Sequence, residues 1–333
     1  MIDPNFPLID LHRHLEGNVR LETILDLGLR HDLPLPSSDL EGLRPYIQVT
    51  EPQVSVMAFI SKFEWYTRVM VDYHACRRIA FENVEDASLE GIDYIELRFS
   101  PWFMSEPHQL EPSGVVAAVI EGAEEGSNKF GLRVKLIGII SRTYGVEIAK
   151  KELRALLDHH EKLVGLDLAG DEANYPADLF HDHFQKAKDV GWHITVHAGE
   201  NTGPESVWAA IRKLGASRIG HAVTAVEDSK LLDYLAQNQV GVESSITSNV
   251  QTSSVPNYES HPIRLFLERG ILASINTDDP AISNIDLKHE YEVAAPAAGL
   301  TPKQIQQAQH NALSIAFLPS EEKEFLLAKK QSF

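Results

Sequence analysis

The sequence predicts an α/β protein built as a closed (β/α)8 TIM barrel, with extra helices after the first strand and at the C-terminal end. Three observations predict it. Eight short apolar runs alternate with amphipathic stretches, the pattern of parallel βα units. The runs are close to continuously apolar, as strands buried on both faces are. Histidines and carboxylates recur where the runs end, at the edge where such a barrel keeps its site. A doubly wound open sheet is the alternative fold. The whole chain, 1–333, reads as one barrel domain.

The elements follow in order. "PLIDLH" (7–12) is short, apolar and proline-led, a buried first strand. From about 19 to 91 no convincing strand occurs. That interval reads as a helical insertion able to help cover a pocket. "YIELRF" (94–99), "VKLIGII" (134–140), "LVGLDLA" (163–169) and "HITVHA" (193–198) supply strands two to five. "RIGHA" (218–222), "VGVES" (240–244) and "LASINT" (272–277) complete the eight. Between them lie amphipathic segments such as "GVVAAVIEGAEEGSNKFG" and "EDSKLLDYLAQNQ". Glycine ends several of them, as helix C-termini prefer. The chain from about 287 to 333 is again helical, most clearly in "LTPKQIQQAQHNALSIAF", with Thr301 as the expected N-cap.

Composition narrows the function classes. The 333 residues carry a net charge of −18. An acidic chain argues against nucleic acid or an anionic membrane as the main partner. No apolar run approaches membrane-spanning length, and the N-terminus lacks a basic region, so a cytoplasmic location is expected. The single cysteine, Cys76, rules out an intrachain disulfide framework and a cysteine-rich zinc site. Nothing in the sequence sets an oligomeric state.

The strand ends carry the chemistry. In "LHRHLEG", His12 and His14 stand two residues apart and share one face of an extended strand. Strand five ends in "HAGE" (His197, Glu200), strand six in "GH" (His221) and strand eight in "NTDDP" (Asp278, Asp279). Strand four runs into Gly170, Asp171 and Glu172. In a barrel these positions meet at one mouth, where charged groups need partners or a metal. Three neutral imidazoles and one carboxylate suit zinc, with a position left for water. Adjacent Asp278 and Asp279 cannot point the same way, so one can bind metal while the other faces substrate. Glu200 lies beyond its strand and can reach over the metal without binding it, a placement suited to acid–base work. His221 is the second candidate proton handler. "GLDLAGDE" has no lysine to bridge two metals, which favours one, and the P-C-x-x-C signature of the cytidine-type zinc deaminases is absent. A metal-dependent amidase, lactonase or phosphoesterase, or a non-catalytic nucleoside-binding module, are the rival readings.

"HRHLEG", "SRTYG", "DLAGDE", "HAGE", "GHAV", "TSN" and "NTDDP" occur in an order that resembles the adenosine deaminase family of the amidohydrolase superfamily, bacterial members above all. The resemblance runs from about Pro7 to about Leu318. It implies one zinc per chain, held by His12, His14, His197 and Asp278. It implies Glu200 as proton donor to the purine ring, and His221 as the group that orients and helps deprotonate the attacking water. His14, Glu16, Gly170 and Asp279 would line the substrate, a purine nucleoside, with Glu16 at the ribose and the Gly170 backbone at the far edge of the base. The implied reaction converts adenosine and 2′-deoxyadenosine to inosine, 2′-deoxyinosine and ammonia. Three departures stand out: Glu16 replaces the usual Asp, Ala222 the usual Gly, and Ser245 a Cys. The first leaves a deaminase of adenine, or of a modified adenosine, as the alternative.

Overall fold

The computed structural model describes residues 2–49 and 51–331. Eight parallel strands form one sheet in the order β1-β2-β3-β4-β5-β6-β7-β8. They are β1 (Ile9–His14), β2 (Tyr94–Phe99), β3 (Arg133–Ser141), β4 (Leu163–Ala169), β5 (His193–Ala198), β6 (Arg218–His221), β7 (Gly241–Ser244) and β8 (Leu272–Ile275). Every expected strand is present. The first is shifted: it starts at Ile9 and continues to His14, so both histidines belong to the strand. The register explains the shift, because Arg13 and His14 still pair with Leu97 and Arg98 of β2. The last strand stops two residues earlier than expected, at Ile275. The barrel closes above that point. The His14 amide donates to the Asp278 carbonyl and the Asp278 amide to the His12 carbonyl, each at 2.8 Å. Residues expected at the site are thus the stitches that join β8 to β1.

The interval after β1 is helical: α1 (Leu21–Arg30), α2 (Leu40–Ile47), α3 (Val56–Ile60), α4 (Phe63–Arg68) and α5 (Tyr73–Leu89). Local chemistry starts them. Asp39, Ser55 and Asp72 each accept a backbone N–H of the first turn of α2, α3 and α5. The helix Pro302–Ile315 opens on a capping box between Thr301 and Gln304, which bears out the expected cap. The helix Ser320–Gln331 follows it. Residues 332–333, the end of the expected C-terminal helical region, lie outside the described residues. Among the described residues no helix is long and apolar enough to cross a membrane.

The strands are less uniform than their composition suggests. In β2, Ile95, Leu97 and Phe99 join the apolar layer under the helices. The alternate residues Glu96 and Arg98 are fully buried too, and they meet charges from other strands. Arg98 bonds Asp167 of β4 and Glu243 of β7, each at 2.8 Å. Arg218 of β6 bonds Glu243 at 2.6 Å and Glu96 at 2.5 Å. A paired charge of this kind tolerates burial, whereas removing one partner costs about 3–5 kcal/mol.

Candidate active site

Four donor atoms converge at the mouth of the barrel. The Nε2 atoms of His12 and His14 lie 3.1 and 3.2 Å from Nε2 of His197. The same two nitrogens lie 3.2 and 3.3 Å from Oδ1 of Asp278. Spacings of this length suit donors that share one ion at about 2 Å, the ordinary zinc–nitrogen distance. His12, His197, His221 and Asp278 form a second grouping, with donors all within 4.8 Å of one another. Its His221 Nε2 stands 3.8 Å from the nearer Asp278 oxygen, farther than the 3.2 and 3.3 Å of His12 and His14.

The residues beneath decide which nitrogens face the centre. Nδ1 of His12 sits 2.8 Å from Glu243, and Nδ1 of His197 sits 3.0 Å from Asp167. A carboxylate accepts, so each Nδ1–H donates and each Nε2 lone pair turns to the site. Burial opposes charge on Asp167, but His197 and Arg98 outweigh it and hold the carboxyl well below its usual range. Glu243 is held low in the same way by Arg98 and Arg218. Burial keeps His197 neutral, at about 3. Arg98 touches both carboxylates and so couples the two rings. Gly220 of β6 makes room for one of them: a side chain there would come within 2.9 Å of the His12 ring. On the far side, the Ser248 hydroxyl donates to Oδ2 of Asp278 at 2.7 Å, leaving Oδ1 for the cluster. The donor set therefore fits a single zinc ion.

Glu200 stands over this cluster without joining it. Its carboxyl lies 3.9 Å from His221 Nε2. Burial pushes it up to about 7, against the pull of His221. Glu172 fixes the loop that carries it. That carboxylate accepts from the backbone N–H groups of Gly199, Glu200 and Asn201 at 2.6, 3.2 and 3.2 Å, and from the Ser206 hydroxyl. The backbone is strained at and just beyond the strand ends that line the mouth. His221, Ala222 and Asp278 have φ of +66°, +53° and +66°. Side-chain-bearing residues in that region cost on the order of 1–3 kcal/mol each. Ala222, which stands where the resemblance expects glycine, thus keeps a conformation that glycine would adopt freely.

The remaining expected residues line one cavity. His14, Glu16, Gly170, Glu200 and Asp279 open onto it from the barrel, and Val56, Phe59, Ile60 and Phe63 of α3 and α4 cover it. The insertion therefore covers the pocket, as its position suggested. Gly170 adopts φ +106°, and a side chain there would meet Thr143 at 2.5 Å, so the backbone faces the cavity bare. Asp279 packs across Gly17, where an added Cβ would come within 1.8 Å of its Oδ1. Gly17 closes "LHRHLEG" for that reason. Asp279 is held well above the usual carboxylate range by burial and by its neighbours Asp278 and Glu16. Its Oδ1 has no hydrogen-bond partner among the described residues. Glu16 accepts from the Ser100 amide through Oε1, while its Oε2 has no partner among the described residues, and burial pushes it up to about 8.

The fold thus brings all nine expected residues to one mouth. Sequence reading passed over Asp167, Glu243, Arg98, Asn249 and His261, which act through other residues. Asn249 closes the "TSN" motif and contacts His221 at 3.0 Å. His261, from a stretch that carried no motif, contacts Asn249 at 3.0 Å.

Comparison with known proteins identifies the family. The family model described as adenosine deaminase matches residues 7–331. An adenosine deaminase of Edwardsiella ictaluri is 55% identical over 331 residues, 99% of each chain. Two solved structures share the fold. The adenine deaminase of Arthrobacter aurescens gives a TM-score of 0.90 at 24% identity over 98% of each chain. An amidohydrolase of Burkholderia ambifaria, solved with bound Zn, gives 0.88 at 23% identity over 99% of this chain and 90% of that one. A barrel closed through its own donor residues, matched in sequence along almost its full length, places this chain in the adenosine deaminase family.

Proposed function

We propose that this chain, acting as a single hydrolase barrel domain, deaminates adenosine and 2′-deoxyadenosine to inosine, 2′-deoxyinosine and ammonia. It does so with one zinc ion held by His12, His14, His197 and Asp278. The observation that carries the reading is the four-donor cluster with the uncoordinated, buried Glu200 carboxyl beside it. Bound zinc supplies a Lewis acid that makes water a nucleophile near neutral pH. Glu200, neutral up to about pH 7, holds a proton for purine N1 as negative charge develops there during attack at C6. His221, 3.9 Å from Glu200, orients the attacking water. Asp279 keeps its proton and donates to the base, and Glu16 meets the ribose. The Gly170 backbone contacts the far edge of the ring. These contacts position the substrate rather than react with it. The apolar residues of α3 and α4 exclude bulk water, which strengthens each polar contact below them.

A spectrophotometric screen tests the reading, since loss of the 6-amino group shifts the purine ultraviolet band. Adenosine and 2′-deoxyadenosine should react with similar kcat/KM and adenine much more slowly. A preference for adenine would replace this reading with the base-specific one that Glu16 leaves open.

A further inference from the structure

Behind His221 lies a chain of three hydrogen bonds that ends on a backbone amide. The Ile263 N–H donates to Nδ1 of His261 at 3.2 Å. Nε2 of His261 lies 3.0 Å from Oδ1 of Asn249, and Nδ2 of Asn249 lies 3.0 Å from Nδ1 of His221. His261, Asn249 and His221 are all buried.

The direction of this chain is not free. A backbone N–H can only donate, so Nδ1 of His261 must offer its lone pair. Burial holds His261 neutral, at about 3, so its one proton sits on Nε2. That proton needs an acceptor, which makes the facing Asn249 atom the carbonyl oxygen. The amide group of Asn249 then faces His221 and donates to Nδ1. Turning the Asn249 side chain over would set its NH2 against the Nε2–H of His261. A proton on Nδ1 of His221 would meet the amide hydrogens of Asn249. Each alternative places two donors face to face in a buried site, where an unmade hydrogen bond costs about 1–3 kcal/mol.

From this polarity we infer that Asn249 and His261 are positioning residues that fix His221 as the Nε2–H tautomer, so that His221 gives a hydrogen bond to the reacting water and does not take its proton. The inference rests on the deaminase reading and separates two roles that the family resemblance joins, orienting the water and deprotonating it. The Nε2–H points into the site, where Glu200 Oε2 and Asp278 Oδ2 stand 3.9 and 3.8 Å away. Neither is close enough for a direct hydrogen bond, so the proton is presented to a group that arrives between them. A protonated nitrogen has no lone pair for a metal. His221 is therefore excluded from the ligand set, which leaves His12, His14, His197 and Asp278.

The test is spectroscopic. In the zinc-loaded wild-type protein labelled with 15N-histidine, the ring signals absent from His221→Gln identify His221. They should show a protonated Nε2 and a bare Nδ1. Asn249→Asp keeps the shape but can only accept, so the tautomer should invert to Nδ1–H. Zinc per chain should stay unchanged and KM should stay within about threefold. Meanwhile kcat should fall on the order of 10²-fold, the scale of losing one preorganised donor. A wild-type His221 carrying its proton on Nδ1 overturns the inference, and so does Asn249→Asp with wild-type kcat. The wild-type spectrum decides even if the variant fails to fold. It needs no substrate, so a chain that shows the Nε2–H tautomer but leaves adenosine unreacted refutes the proposed function and keeps the relay.

Discussion

Beneath the pocket, Arg98 lies between Asp167 and Glu243, and each of those carboxylates holds a histidine of the cluster. Above the pocket, Val56, Phe59, Ile60 and Phe63 line the roof, on helices of five and six residues. The floor is held by directional bonds between fully buried charges. None of its members can move without stranding another, so its geometry is over-determined. The roof is held by apolar contact, which has no preferred direction. The segment before α3 is tied to the barrel by the Gln53 amide, which donates to the Gln251 carbonyl at 2.7 Å. The contrast teaches where each property is stored. Chemistry depends on angles and sits in the rigid layer. Water exclusion and substrate fit depend on area and sit in the layer that can repack.

Substitutions can break or sharpen this contrast. The largest effect belongs to Glu200, which the floor holds through Glu172. Glu200→Gln cannot supply an acidic proton, and kcat should fall by about 10²–10⁴-fold with zinc content unchanged. The wild-type pH profile should show the same group. An acid held at about 7 works while protonated, so kcat should fall as pH rises through that value. Steady-state kinetics with metal analysis checks both.

Arg98→Leu tests the coupling within the floor. Two carboxylates lose their shared cation, so stability should drop by about 3–5 kcal/mol in denaturant titrations. Zinc affinity should weaken about 10–100-fold, because both histidines lose firm orientation. An unchanged affinity would separate the floor from the metal site.

Glu16 lies where floor and substrate meet. Because burial pushes it up to about 8, it faces the pocket at neutral pH as a neutral donor rather than a charge. A neutral hydrogen bond contributes about 0.5–1.5 kcal/mol, so Glu16→Ala should lower kcat/KM for adenosine only about 2–13-fold. Glu16→Gln, which still accepts from Ser100 and still donates, should stay near wild type. A loss well above this range in the glutamine variant would mean that the charged form binds the sugar.

The smallest effect is expected in the roof. Phe59→Leu keeps an apolar contact of similar volume. KM should rise by no more than about threefold, with kcat and zinc content unchanged. A fall in kcat as large as that of Glu200→Gln would show that the roof, too, sets chemical geometry.

The legible part of this molecule follows the same division. Strand alternation and strand-end residues report directly on a barrel, because parallel strands are buried on both faces and their C-terminal ends converge. His12, His14, His197, Asp278 and Glu200 were readable for that reason. Asp167, Glu96 and Glu243 were not, because each looks like the polar half of an alternating strand, and only the closed barrel reveals that this half is also buried. His261 was invisible for a different cause: it acts through two hydrogen bonds and lies 40 residues past His221 in sequence. The shift of the first strand had a physical source as well, since Pro7 marks the start of an extended run without fixing where pairing with β2 ends.

One bound metal ion should make this barrel a deaminase. The most direct measurement strips the protein with a chelator, returns zinc in known amounts, and follows adenosine absorbance at each step. Activity should vanish with the metal and recover in proportion to added zinc, saturating at about one ion per chain, as a single donor cluster requires. Full activity in the metal-free protein, or recovery that saturates only at two ions per chain, would contradict the account.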